Sequence, residues 1–302
     1  FKYKKSRKKT WKRKKSLIKT LSMSSKDLLE NVKKLREITG VGFKDCKLAI
    51  DETGGDLEKS IEFLRKKGIA KASKKMSRTA SEGLALVFEK NGEASIVEIN
   101  SETDFVAKNK DFISFCKEIS EISFKEKCDL SKINSASMKN NISVKDNLID
   151  LISKIGEKIT IRRASFFNKE KGSNYFYVHG AIEKNIGKIV SAVKLSDLKD
   201  DKEIGTKIAM HIAASSPLSL DKSGLKKEIL DKELEIIKAE LTNSGKKPEM
   251  IDKISQGKIN KFISDNTLLN QPWIIDPKKK VSDILNGVKI LEFVRYKVGE
   301  GV

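Results

Sequence analysis

Residues 99 to 107 read Ile99-Asn100-Ser101-Glu102-Thr103-Asp104-Phe105-Val106-Ala107, and what flanks them decides the fold. Upstream lie two short runs of strand-like pattern, Leu84 to Phe88 and Ser95 to Ile99, joined by Asn91-Gly92. Asn-Gly between such runs is the strongest local hairpin signal, because both residues tolerate the positive φ of a type I′ turn. Downstream, Phe112, Phe115, Cys116 and Ile119 recur at helical spacing. Thr103-Asp104-Phe105 therefore stands where a strand hands over to a helix, with an acid and an aromatic side by side. On the residues alone the favoured reading is that Thr103 or Asp104 caps the helix and Phe105 fills the core; the other is that the pair is presented outward.

The same unit of strand, turn, strand and helix recurs later in the chain. Tyr175 to Ile182, a turn at Asn185-Ile186-Gly187, Lys188 to Leu195 and a helix from Lys202 to Ala214 repeat the pattern with few identical residues. Between the copies come a helix from Val144 to Ile155 and a strand from Lys158 to Phe167. The layout predicts an α+β core of two subdomains with antiparallel sheets, residues 83–168 and 169–302. Within the second, Leu230, Leu234, Ile237 and Leu241 form one seam, and Ser244-Gly245-Lys246-Lys247-Pro248 breaks the helix before Met250, Ile251, Ile254, Phe262 and Ile263 return. That is an antiparallel coiled-coil hairpin over about 222–265.

Ahead of the core, Leu28, Val32 and Leu35, then Cys46, Ala49 and Ile50, then Leu57, Ile61 and Leu64 mark three short helices within residues 24–68. Gly40-Val41-Gly42 ends the first, and Asp56 caps the third. Residues 69–82 carry no apolar period and read as a flexible linker.

Composition narrows the function. The net charge of +20 is unevenly spread: residues 1–22 hold eleven Lys and Arg and no acid, leaving 51 basic against 42 acidic residues elsewhere. Lysine outnumbers arginine 54 to 8, whereas base reading and bidentate phosphate gripping favour arginine. A solvated lysine-rich surface explains the excess better than a nucleic-acid footprint. Residues 1–22 read as an unstructured or non-native basic extension, with an organellar presequence and a mis-assigned start before Met23 as the alternatives. No apolar run approaches the roughly 20 residues that span a bilayer, so a soluble protein is expected. Cys46, Cys116 and Cys128 are isolated thiols, and His179 and His211 lie near neither a cysteine nor each other, so neither a disulfide framework nor a metal site is expected. Phosphate-loop, dinucleotide, nucleophile-elbow and zinc-protease motifs are all absent from the sequence.

Five strings in order carry a resemblance: Leu35 to Lys47 with its Gly42-Phe43 loop, Thr103-Asp104-Phe105-Val106, Ile208 to Ala214, Gln271 to Pro277, and Val298 to Gly301. Over about residues 24–302 the chain resembles the translation elongation factor Ts family, whose N-terminal module is of the ubiquitin-associated (UBA) type. The resemblance implies a guanine-nucleotide exchange factor for elongation factor Tu, not itself a hydrolase, with no cofactor, no membrane and no nucleic acid required. It would bind Tu in its GDP-bound and nucleotide-free forms, and a homodimer or an assembly of two Tu and two Ts chains stays open. Thr103, Asp104, Phe105 and Val106 would dislodge the partner's Mg²⁺. Leu35, Phe43 and Lys44 would hold its G domain, and His211, matched to a histidine on a surface helix tip, its barrel domains. Trp273 and Ile275 are further contact candidates. The expected compartment is the bacterial cytoplasm, or an organelle matrix if residues 1–22 belong to a presequence. A basic ribosome- or RNA-associated protein is the competing reading, with Tyr175-Phe176-Tyr177 as its one aromatic platform.

Overall fold

The computed structural model describes residues 25–196 and 202–302, so the basic extension read over residues 1–22 lies outside the described residues. The described residues divide into two compact units, 25–79 with 137–159, and 80–136 with 160–196 and 202–302.

In the first unit, α1 (Ser25–Thr39), α2 (Phe43–Glu52) and α3 (Leu57–Lys75) close over Val32, Leu35, Cys46, Ala49, Ile50 and Leu64. Gly40 ends α1 at φ +62, a conformation that costs glycine nothing. Asp56 caps α3, its carboxylate accepting from Lys59 N at 3.1 Å. Two expectations need correction here. The stretch read as a linker from residue 69 is helical as far as Lys75. Residues 137–159, expected in the core, belong to this unit through α7 (Val144–Ile155). One cause explains both. Gly68 and Ala72 give α3 a face of small buried residues. A Cβ at Gly68 would stand 3.4 Å from Ser153, so α7 packs directly on α3 backbone. The Arg65–Asp146 ion pair at 2.6 Å fastens the edge. Small residues bury helix faces without leaving an apolar period to read.

In the second unit, β1 (Glu82–Lys90) and β2 (Glu93–Ser101) pair antiparallel from Glu82↔Ser101 to Lys90↔Glu93. The turn is Asn91-Gly92, with φ of +55 and +81 as a type I′ turn requires. β3 (Ile159–Phe167) and the two-residue β5 (Ile186–Gly187) complete a sheet of order β3-β2-β1-β5. A second sheet runs β4-β6-β7, from β4 (Ser173–His179), β6 (Ile189–Leu195) and β7 (Ile290–Lys297). The turn expected at Asn185-Ile186-Gly187 is instead partly strand. The chain leaves β4 at Gly180, and Ile186-Gly187 pairs with Ala85 and Leu86 of the other sheet before β6 begins.

Alternation sorts each strand between two faces. Ala85, Val87, Ala94 and Ile96 of the first sheet meet Val190, Ala192, Phe176, Val178 and Tyr296 of the second in one buried layer. The opposite face of the first sheet is covered by α5 (Lys110–Lys125), which buries Phe112, Phe115, Cys116 and Ile119 and is followed by the short α6 (Leu130–Ser135). The far face of the second is covered by α8 (Lys202–Ser215), through Ile208, Ala209 and Ile212. Helix, sheet, sheet, helix is the result, and it realises the repeated unit of the sequence. The helical hairpin is present as α9 (Lys227–Asn243) and α10 (Pro248–Asn266), sealed by Ile237, Leu241 and Ile259. Two ion pairs, Lys258–Glu240 at 2.6 Å and Lys238–Asp252 at 3.2 Å, flank the seam.

Candidate functional site

β2 delivers the chain to the Thr103-Asp104-Phe105 turn. Ser101 Oγ donates to Thr103 O across 3.0 Å and draws the chain out of the sheet. Thr103 is extended (φ −127°, ψ 159°) and opens α4 (Asp104–Ala107), a single helical turn. Lys108 N donates to Phe105 O at 3.2 Å and Asn109 N to Val106 O at 2.9 Å, which closes it. The long helix α5 is capped by Asn109, whose Oδ1 accepts from Asp111 N at 2.9 Å and Phe112 N at 3.3 Å. A cap at Thr103 or Asp104 therefore serves only the short turn.

Consecutive helical residues point about 100° apart, so one turn cannot bury all of its side chains against one sheet. Val106 and Ala107 are buried, and Phe105 is 78% exposed. Leaving a phenylalanine in water forgoes roughly 2 kcal/mol of burial free energy. Exposed apolar residues are common on soluble surfaces and by themselves mean little. What distinguishes Phe105 is its mounting: a ring at the tip of a turn whose next two residues, Val106 and Ala107, are fixed in the core.

Asp104 is half-exposed and pairs with Lys108 at 2.7 Å. The Lys108 ammonium, hydrogen-bonded to it, holds its carboxyl below the usual carboxylate range. Lys108 Nζ also stands 5.9 Å from the centre of the Phe105 ring. At the base of the turn Lys188 donates to Glu82 Oε2 at 2.7 Å and Gly83 O at 3.2 Å, and its charge reaches Asp104 as well. Sequence reasoning missed Lys108 and Lys188. The first follows from the i,i+4 spacing with Asp104; the second depends on a nonlocal strand pairing and has no local signal.

The expected partner contacts separate into two groups. Phe43, 43% exposed, and its exposed neighbour Lys44 open α2 at the surface of the first unit, and Ile275, 53% exposed, lies on the loop after the hairpin. Leu35, His211 and Trp273 are buried, which corrects their expected role as contacts. Leu35 sits inside the three-helix core. His211 and Trp273 stack on one another with centroids 5.2 Å apart. His211 Nε2 lies 3.0 Å from Gln271 Oε1, and its Nδ1 accepts from Ile274 N at 3.4 Å. Both bonds are met by a neutral ring protonated on Nε2, and burial pushes its pKa down. These residues seat the 271–275 loop on α8. The exposed histidine is His179, at the end of β4.

Tyr175, Phe176 and Tyr177 do not form a platform. Both tyrosines pack on the cluster beneath α8 and Phe176 on the layer between the sheets. Burial lifts the Cys128 thiol to about 12. Among the described residues, no helix is long and apolar enough to cross a membrane, and no group of three His, Cys, Asp or Glu could hold a metal ion.

Comparison with known proteins gives the family. A family model described as Elongation factor TS matches residues 102–300, a span that opens at the Phe105 turn, just after β2, and takes in β3 to β7 and the hairpin. Elongation factor Ts of Methylococcus capsulatus is 41% identical over 276 residues, covering 90% of this chain and 92% of the relative. Elongation factor Ts of Maricaulis maris is 41% identical over 285 residues, covering 90% and 91%. That of Methylobacterium nodulans is 39% identical over 283 residues, covering 90% and 92%. The chain belongs to the elongation factor Ts family. It is a translation elongation factor.

Two outcomes follow from the burial pattern. Phe105→Ala should change the urea unfolding free energy by no more than about 0.5 kcal/mol, whereas Phe112→Ala, at a fully buried ring, should cost about 3–5 kcal/mol. A large loss in Phe105→Ala would place that ring in the core. His211 is disfavoured as an imidazolium in the fold, so the unfolded chain binds the proton more readily. Stability should therefore fall as pH drops below about 6.5, the unperturbed value. His211→Gln should flatten that part of the pH profile between about pH 7 and 5.5, where carboxylates contribute little; an identical slope in both proteins would contradict the assignment.

Proposed function

We propose that the chain is the guanine-nucleotide exchange factor for elongation factor Tu. The observation that carries this reading is the exposed Phe105 ring on a turn locked by buried Val106 and Ala107, beside the Asp104–Lys108 pair. A translation GTPase holds GDP through its phosphate loop and a Mg²⁺ ion on the phosphate oxygens. Phe105 wedges between apolar side chains beside that ion, and Asp104 competes for the polar groups that orient it. Losing the metal loosens GDP. Thr103 and Val106 act through the backbone: Thr103 sets the extended approach, and Val106 anchors the turn.

Phe43 and Lys44 supply a second contact, to the G domain, and Ile275 a third. The chemistry of hydrolysis stays with the partner. The chain contributes only a difference in affinity between the nucleotide-free and GDP-bound forms, and GDP and the factor weaken one another reciprocally. Direction comes from whichever nucleotide is in excess.

The test is stopped-flow release of a fluorescent GDP analogue from Tu. Phe105→Ala should slow the maximal release by at least about tenfold, as truncation of a central aromatic anchor does at other interfaces, with a smaller effect on binding to nucleotide-free Tu. Asp104→Ala should act in the same direction, and the double variant should lose less than the sum because adjacent residues share one task. Unchanged release per folded molecule in Phe105→Ala would remove the wedge from the mechanism.

A further inference from the structure

On β2, seven residues before Phe105, lies a carboxylate that no solvent reaches. Glu98 is fully buried, and a carboxylate is almost never so unless it is paired. Its Oε1 accepts from Arg162 Nη1 at 3.0 Å, from Asn100 Nδ2 at 3.1 Å and from the backbone N–H of Gly299 at 2.9 Å; Oε2 accepts from Arg163 Nε at 2.5 Å. The two guanidinium groups reach onward to the same chain segment. Arg162 Nη2 donates to Glu300 O at 2.6 Å and Arg163 Nη2 to Lys297 O at 3.2 Å. Gly299 has φ +78, and a Cβ there would collide with the carbonyl oxygen of Ser81, just before β1. Asn100 Nδ2 also donates to Glu82 O at 3.2 Å. The 297–300 turn is thus held against β2, β3 and the start of β1, where β2 runs out into Ser101 and Thr103.

A buried ion cluster adds little net stability over apolar residues of equal volume. What it adds is direction, because each donor fixes the carboxylate from a different segment. We propose that Glu98 is a positioning residue for exchange: it latches the 297–300 turn to the end of β2 and so fixes the direction in which Phe105 points. The inference rests on the reading of Phe105 as the wedge.

Two variants open the latch from different sides. Glu98→Gln keeps the shape and removes the charge. Arg162→Gln leaves the Glu98–Arg163 pair in place, so the buried charge stays neutralised; if Glu98→Gln does not fold, Arg162→Gln decides alone. Hydrogen exchange read by mass spectrometry should show amides 103–108 exchanging about tenfold faster in each variant, with those of Leu84 to Phe88 unchanged, as local opening requires. The maximal GDP-release rate from Tu per folded molecule should fall about tenfold through misplacement alone, with the half-saturating concentration within about twofold. Neither variant should add to the loss in a Phe105→Ala background. Faster exchange spread evenly over β1 and β2, or wild-type behaviour at amides 103–108, overturns the latch. If Phe105→Ala itself leaves GDP release unchanged, the wedge reading fails, and the amide exchange still judges the latch by itself.

Discussion

Burying Val106 and Ala107 against the first sheet while Phe105 stays in water is the constraint on which the rest of the structure turns. A four-residue helix has too little backbone hydrogen bonding to hold itself, since helix nucleation is unfavourable. α4 survives because β2 feeds it, Asn109 restarts the chain as α5, and Val106, Ala107 and the buried face of α5 seal its C-terminal side. The sheet beneath it must therefore be rigid. Full-length pairing of β1 with β2, and the second sheet stacked on Ala85, Val87, Ala94 and Ile96, provide that rigidity. A loosely mounted ring would lose on ordering what it gained on contact.

The repeated unit shows how one pattern serves two ends. In the first copy the strand-to-helix passage is a short tight turn that leaves an aromatic outside. In the second, α8 lies on its sheet so closely that a Cβ at Gly205 would collide with the Tyr175 ring, and the polar residue it carries, His211, is turned inward and satisfied by Gln271. The first copy presents side chains; the second anchors the loop that follows the hairpin.

Much of this was legible in the sequence because it is local. Asn91-Gly92 specifies its own positive φ values, and the seam of Leu230, Leu234, Ile237 and Leu241 is a period that can be counted. The exposure of Phe105 was not legible from pattern: either outcome fits a strand-to-helix junction, and only the family resemblance favoured one. The helix beyond residue 68 was hidden because Gly68 and Ala72 bury a face without large side chains. β5 was hidden because two residues pairing with a distant strand leave no alternation. His211 misled for a related reason. Whether a single histidine faces water or a tryptophan is settled by the loop at 271–275, some sixty residues away, and no local signal reports it.

If the chain competes with GDP for elongation factor Tu through the Phe105 ring, as proposed, linkage ties the two affinities together quantitatively. Calorimetry should measure the affinity of the chain for nucleotide-free Tu and for Tu with GDP, alongside the affinity of Tu for GDP with and without saturating chain. The two weakening factors should be equal, and both should shrink together in Phe105→Ala while affinity for nucleotide-free Tu is largely kept. Equal affinity of the chain for the two forms of Tu would contradict it, since a ligand that does not discriminate between states shifts neither.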